Sequence, residues 1–227
     1  MAKYDLFIGN KNYSSWSLRP WVLMTERAIA FNERLERFSG DNWKAFRDFS
    51  PTGQVPVLHD GDTIVWETPG ITEYLAERHD GVWPADAVAR AWARCAAAEM
   101  HAGFNTLRDR CTMNIGVRIR VDDMSDRLRH DIDRLSELWS EGLSRFGGPF
   151  LAGPTFTAAD AFFAPVAFRI QTYGLVLDDA PAAYAARLLN RPSMQAWEAA
   201  ALAETFRDPA HEAELKQMGT LLEDRRA

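Results

Sequence analysis

Three short stretches of this chain combine residue types that can bind and activate a small ligand. The first is the loop Asn10-Lys11-Asn12-Tyr13-Ser14-Ser15-Trp16-Ser17, followed by Pro20. Proline lacks the N–H that an interior helical position donates, so it fits without loss only among the first three helical residues. That places the helix N-cap between Ser17 and Arg19, with Ser17 the natural choice. Ser14 and Ser15 then lie just ahead of a helix N-terminus, where free amides and the positive dipole end favour an anion. A hydroxyl or a ligand thiolate there is stabilised in its charged form. The alternative is that these serines do no more than cap the helix.

The second stretch is Thr52-Gly53-Gln54-Val55-Pro56-Val57. An X-Pro bond at the head of a strand supplies no ladder N–H, so Pro56 belongs on an edge strand or in a special turn. A cis bond would leave the Val55 backbone open to pair with an extended peptide, while the plain edge-strand reading carries no chemistry. The third is Trp66-Glu67-Thr68-Pro69. Pro69 suits the first helical position and makes Thr68 the N-cap. Glu67 then either offsets the helix dipole or receives a ligand ammonium. A fourth stretch, Thr157-Ala158-Ala159-Asp160, spaces a hydroxyl and an acid as in a capping box and is structural.

Composition narrows the partners. Lys plus Arg number 26 against 32 Asp plus Glu, a formal net charge of −6. That excludes a non-specific nucleic-acid binder, which needs a cationic footprint. No run approaches the roughly 20 apolar residues that span a bilayer. The N-terminus shows no signal-peptide pattern, so a cytoplasmic location is the default expectation. Cys95 and Cys111 are the two cysteines, both in helical-looking sequence, and core packing is their expected role. No metal site is expected.

The elements that position these stretches change character along the chain. Tyr4–Gly9 reads as a strand, 17–30 as a helix, 33–38 as a strand and 42–49 as a short helix. Val55–His59 and Thr63–Trp66 flank a Gly-containing turn and form a hairpin, and 68–78 is helical again. The order β-α-β-α-β-β-α in about 80 residues is an α/β layer arrangement. Asp80-Gly81-Val82-Trp83-Pro84 reads as a linker, with no strand expected after it. Residues 86–113 read as one long helix and 125–146 as an amphipathic one ended by Gly147. Residues 157–173 form a more apolar, central helix. Shorter helices over 181–189 and 194–203 precede a charged tail.

In order and spacing, the Ser-containing loop, Gln54-Val55-Pro56, Glu67-Thr68 and the late Thr157-x-x-Asp160 box together resemble the cytosolic glutathione transferase superfamily. The resemblance covers essentially the whole chain. It implies an α/β thioredoxin-like N-terminal domain over 1–80 and an all-α C-terminal helical bundle domain over 86–227. It implies glutathione as co-substrate, held by Gln54, Val55, Pro56, Glu67 and Thr68 with a cis Val-Pro bond. It also implies a homodimer. The zeta class, glutathione-dependent isomerases of maleyl compounds, is partly similar. Aligning its loop tryptophan with Trp16 puts Asn12 where that class carries its catalytic serine. Its substrate-binding arginine on the core helix has Arg169 as counterpart, about one turn early.

The expected chemistry is activation of the glutathione thiol by Ser14 or Ser15, with Tyr13 and Asn12 as the other loop candidates. A free thiol has a pKa of about 8.5, so a hydrogen bond and a helix end must lower it. The thiolate then attacks a small electrophile beside the long helix, where Met100, His101, Phe104, Asn105, Arg108 and Met113 are the expected wall. His101 is either a general acid-base or a packing residue. Transferase, isomerase of a maleyl compound, and non-catalytic glutathione-binding protein are the three readings the sequence supports.

Overall fold

In the computed structural model, which describes residues 3–38, 40 and 42–226, alternation decides the first strand. β1 (Tyr4–Ile8) buries Tyr4, Leu6 and Ile8 on one face, the period of a strand laid on a core. Met1 and Ala2, part of the expected entry into it, lie outside the described residues. α1 (Ser15–Glu26) follows, then β2 (Phe31–Leu35), α2 (Asn42–Phe46), β3 (Val57–Asp60), β4 (Thr63–Trp66) and α3 (Thr68–Ala76). The sheet order is β2-β1-β3-β4, with β1 parallel to β2 and the other two pairings antiparallel. Asp60 pairs with Thr63, so Gly61-Asp62 is a two-residue hairpin loop, and Gly61 adopts the positive φ of 58° that such a turn requires first. This is the thioredoxin-like α/β arrangement that the resemblance implies.

The remaining elements are mostly helical: α4 (Ala87–Ala102), α5 (Asn105–Arg110), β5 (Val117–Arg120), α6 (Asp126–Phe146), α7 (Ala158–Tyr173), α8 (Asp179–Leu189), α9 (Pro192–Leu202), α10 (Pro209–Met218) and β6 (Thr220–Asp224). α6 carries the expected stripe, with Leu128, Ile132, Leu135 and Trp139 buried, Ser125 capping its start and Gly147 its end at φ 76°. α7 is buried on nearly every face and packs against α1, α4 and α8. Asp160 anchors its start. The carboxylate accepts from the Thr157 N–H at 2.8 Å, the Leu151 N–H at 3.0 Å and the Tyr184 hydroxyl at 2.8 Å.

Four local expectations change. α1 begins at Ser15 with Ser14 as N-cap, so Pro20 sits inside the helix and Ser17 is no cap. Ser17 is instead consumed by the loop: its Oγ accepts from the Gly9 N–H at 3.0 Å and from the Ser14 hydroxyl at 2.7 Å. The single helix expected over 86–113 breaks at Gly103 and Phe104. Phe104, at φ 54°, is buried while Asp131 of α6 accepts the Leu107 N–H at 2.9 Å and restarts the chain as α5.

Strands do follow the linker. Val117 and Ile119 are buried alternately and β5 pairs antiparallel with β6 of the expected charged tail. Two strands a hundred residues apart give no hairpin signal in sequence. Lastly, Cys111 packs in the core as expected, its thiol pushed up to about 12 by burial, but Cys95 is exposed.

Candidate functional site

Loop packing brings the serines to a cleft. The β1–α1 loop turns tightly, with the Asn10 carbonyl accepting the N–H groups of both Tyr13 and Ser14. Glu204 accepts the N–H of Lys11 at 2.7 Å and of Asn12 at 3.3 Å, and Trp197 donates to the Lys11 carbonyl. The loop is thereby fixed from the helical half of the chain. It opens onto a cleft of about 700 Å³ between the sheet-bearing part and α4, α5, α7 and α10.

Of the predicted residues, Tyr13, Ser14, Ser15, Gln54, Val55, Pro56, Glu67, His101 and Arg108 line this cleft. Asn12 does not. It is fully buried, its Nδ2 donating to Asn114 Oδ1 and its Oδ1 accepting from the Gly116 N–H, both at 2.9 Å. It is a joint between the loop and residues 114–116. Phe104 is packed beneath the surface and Asn105 opens onto a separate groove beside Asp126 and Asp131, so neither belongs to the cleft wall. Met100 is likewise core, whereas Met113 does face the cleft.

The hydroxyls differ in where their protons go. Tyr13 donates to Glu212 Oε1 at 2.7 Å, and burial together with that carboxylate pushes its phenol up to about 12. Ser14 donates to Ser17. Ser15 is the exception: its Oγ accepts from Arg169 Nη2 at 3.3 Å, and its own proton has no acceptor among the described residues.

Val55–Pro56 is a cis bond. β3 is an interior strand whose pairing begins at Val57, so the plain edge-strand reading does not hold and the Val55 backbone lies outside the ladder. Ser50, itself buried, donates to the Gln54 carbonyl and accepts the Gln54 N–H, which rigidifies the turn. Gly53 is required there. At φ 68°, a Cβ would come within 2.7 Å of the Trp43 carbonyl oxygen.

Glu67 adopts φ 62° and ψ 135°, a conformation costing about 1–3 kcal/mol for a side-chain-bearing residue and concentrated at ligand sites. It is the N-cap of α3, its carbonyl accepting the Ile71 N–H; the expected cap, Thr68, is the first helical residue. The Thr68 hydroxyl is buried and makes no hydrogen bond among the described residues, and Thr68 lies behind Glu67 rather than in the cleft lining.

Arg169, expected only as the counterpart of the zeta-class substrate arginine, reaches the cleft from α7, and three further cleft residues escaped the sequence reading. Phe38 and His211 stack on one another, with ring centroids 5.2 Å apart, and His211 stacks on Tyr13 at 4.8 Å. Trp43, from α2, stands 64% exposed at the rim. The Asp208-Pro209 pair was the missed signal for the tail, an N-cap followed by a first-turn proline.

Arg108 and Arg169 line the cleft and Arg19 of α1 is buried beside Trp16; none of the three has a carboxylate within 4.0 Å among the described residues. Arg19 and Arg108 lie over the Trp16 ring at 4.3 and 5.3 Å. His101 meets Trp16 edge-on, and burial first, then Arg19, hold its imidazole below the ordinary value. A neutral ring packed on tryptophan fits the packing role expected as one alternative.

The N-terminal domain model of the glutathione S-transferases matches residues 13–78. Glutathione S-transferase F14 of Arabidopsis thaliana is 30% identical over 158 residues, 65% of this chain and 59% of that protein. Residues 13–78 thus carry a glutathione S-transferase N-terminal domain, and the similarity to that family extends beyond it. A dichloromethane dehalogenase of Methylophilus leisingeri is 42% identical over 60 residues, 25% of this chain and 22% of its own. The chain thus spans about three-fifths or less of the curated relatives it matches. A theta class glutathione S-transferase from Xanthomonas axonopodis pv. citri, with glutathione bound, shares the fold at a TM-score of 0.64 and 24% identity, covering 86% of this chain and 97% of that one. A transferase homolog from Burkholderia, also with glutathione bound, gives 0.66 at 22%, over 87% and 97%.

Proposed function

We propose that this chain is a member of the cytosolic glutathione transferase superfamily, a transferase that binds glutathione on the sheet side of the cleft and offers its thiolate to a small electrophile on the helical side. The observation that carries this reading is the one cleft holding both an unpaired backbone segment beside a cis proline and a serine hydroxyl with its proton free. Val55 pairs with the cysteinyl backbone, as in recognition by strand addition. Glu67 and the Thr68 N–H take the γ-glutamyl end, with Gln54 beside them. Ser15 donates to the thiolate, and the positive end of α1 supports it. The division of the chain at residues 80–85, a cytoplasmic location and a homodimer belong to the same reading. Among the described residues no helix is long and apolar enough to cross a membrane.

Titration calorimetry with glutathione and turnover of a chlorinated aromatic acceptor test this. Binding with turnover supports it, and binding without turnover of any electrophile leaves a glutathione-binding protein. Glu67→Gln is expected to weaken glutathione affinity about tenfold, the roughly 1.4 kcal/mol of one charge-assisted contact, with kcat little changed. Tyr13→Phe is expected to keep turnover within about threefold and to cost about 1–2 kcal/mol in urea unfolding, since Glu212 loses a donor.

A second reading, cis-trans isomerisation of a maleyl compound with glutathione as cofactor, is favoured by Arg108. This guanidinium faces the cleft and, among the described residues, hydrogen-bonds only the His101 carbonyl and Asn105 Oδ1. A diacid substrate would supply the missing carboxylate. Product analysis with a maleyl substrate separates the two readings.

A further inference from the structure

Arg169 is difficult to explain as a stabilising residue. It lies in the core helix α7, is 5% exposed, and is not part of any ion pair among the described residues. Nη1 donates to the Cys111 carbonyl at 3.0 Å, Nη2 to Ser15 Oγ at 3.3 Å, and Nε has no partner. A buried cation bonded to neutral oxygens carries a desolvation cost that its contacts do not offset. Burial accordingly draws its pKa down to about 10, which still leaves it charged at neutral pH. Such an arrangement becomes favourable when negative charge develops beside it.

The position of that charge follows from Ser15. A serine hydroxyl has one proton and two lone pairs. With Arg169 on one lone pair, the proton remains free to donate, and a donor polarised by a cation is a stronger donor. We propose that Arg169 is a positioning residue that holds the Ser15 oxygen so that the Ser15 proton is presented to the glutathione thiol. This rests on the reading of the cleft as a glutathione site, and it assigns Arg169 to the thiol rather than to a substrate carboxylate.

The other charged and titratable groups around this point are few. Arg19 of α1 and Arg108 of α5 add positive potential from either side, and His101 of α4 is held below its ordinary pKa. Glu67 at the start of α3 and Glu214 of α10 line the cleft with negative charge, and His211 stands beside them. Cys111 and Tyr173, both pushed up to about 12, are neutral neighbours of Arg169. Across the neutral range, Arg169 is the cation bonded to the serine.

The test is a double-mutant cycle in the full chain: Ser15→Ala, Arg169→Met and both together. The ultraviolet absorbance of the bound thiolate is followed against pH, and glutathione affinity is measured by calorimetry. Arg169→Met is expected to raise the pKa of the bound thiol by about one unit, roughly tenfold less thiolate at neutral pH, with affinity within about twofold. In the Ser15→Ala background, the same replacement is expected to cause no further shift. Arg169→Lys keeps the charge and most of the volume, and serves in the cycle if the Met variant does not fold. Its smaller shift must also vanish without Ser15. An unchanged thiol pKa in the Arg169 variants, or an equal shift with and without Ser15, overturns the assignment. A wild-type chain that binds no glutathione overturns the reading of the cleft, and this inference with it.

Discussion

Asp160→Ala is expected to destabilise the chain by about 3–5 kcal/mol, among the largest effects of any single replacement here. The carboxylate is wholly buried and accepts from the Leu151 and Thr157 N–H groups and the Tyr184 hydroxyl, with Thr157 Oγ1 at 3.2 Å. Alanine leaves those buried donors without an acceptor, at about 1–3 kcal/mol each. Relief of the buried charge offsets part of this, because burial already pushes the Asp160 carboxyl up from its usual value. The loss is not local. α7 packs on α1, and Arg169, two turns further along α7, reaches Ser15. Urea unfolding measures the stability, and Asp160→Asn, which retains one acceptor oxygen, is expected to lose about half as much. A midpoint for Asp160→Ala within experimental error of wild type would mean that the box does not anchor the fold.

What could be read from sequence was what short-range spacing encodes. The hairpin at Gly61, the box at Thr157 and Asp160 and the stripe of α6 are each written within a few residues. The start of α1 was misplaced for a tertiary reason. Proline's cost at position 20 was outweighed by a loop that needs Ser17 for the Gly9 N–H and the Ser14 hydroxyl.

The break at Phe104 depends on Asp131, and β5 depends on a partner a hundred residues later. In the site, Val55, Pro56 and Glu67 stood out by residue type, Arg169 only as the counterpart of a zeta-class substrate arginine, and His211 not at all. Nothing near position 169 announces that its guanidinium meets a serine 154 residues earlier. Asn12 drew attention through loop alignment. Its amide is in fact the bolt joining that loop to Asn114 and Gly116.

Ser15→Ala is expected to lower turnover at neutral pH by about 10- to 100-fold, while Ser14→Ala lowers it by less than about threefold. The distinction comes from proton bookkeeping. Ser14 spends its proton on Ser17, so its loss removes a buried hydrogen bond worth about 1 kcal/mol of stability and little else. Ser15 receives from Arg169 and retains its proton, so its loss removes the donor to the thiolate. A charge-assisted bond of about 1.5–3 kcal/mol stabilises the thiolate and not the thiol, so it appears as a lower pKa.

The pH dependence then has a definite sign. Below the thiol pKa, activity follows the thiolate fraction, and the wild type leads the variant by the full factor. As pH rises past the wild-type thiol's pKa, its thiolate fraction saturates while the variant's keeps growing, so the gap narrows and has largely closed by about 8.5. Glutathione affinity, which the proposed function assigns mainly to Val55, Glu67 and the Thr68 N–H, is expected to change by less than about threefold. Initial rates from acid to alkaline pH, with glutathione binding measured alongside, check all three statements. A pH-independent loss in Ser15→Ala would assign Ser15 to substrate placement, and a larger loss in Ser14→Ala would transfer the thiol to the buried serine.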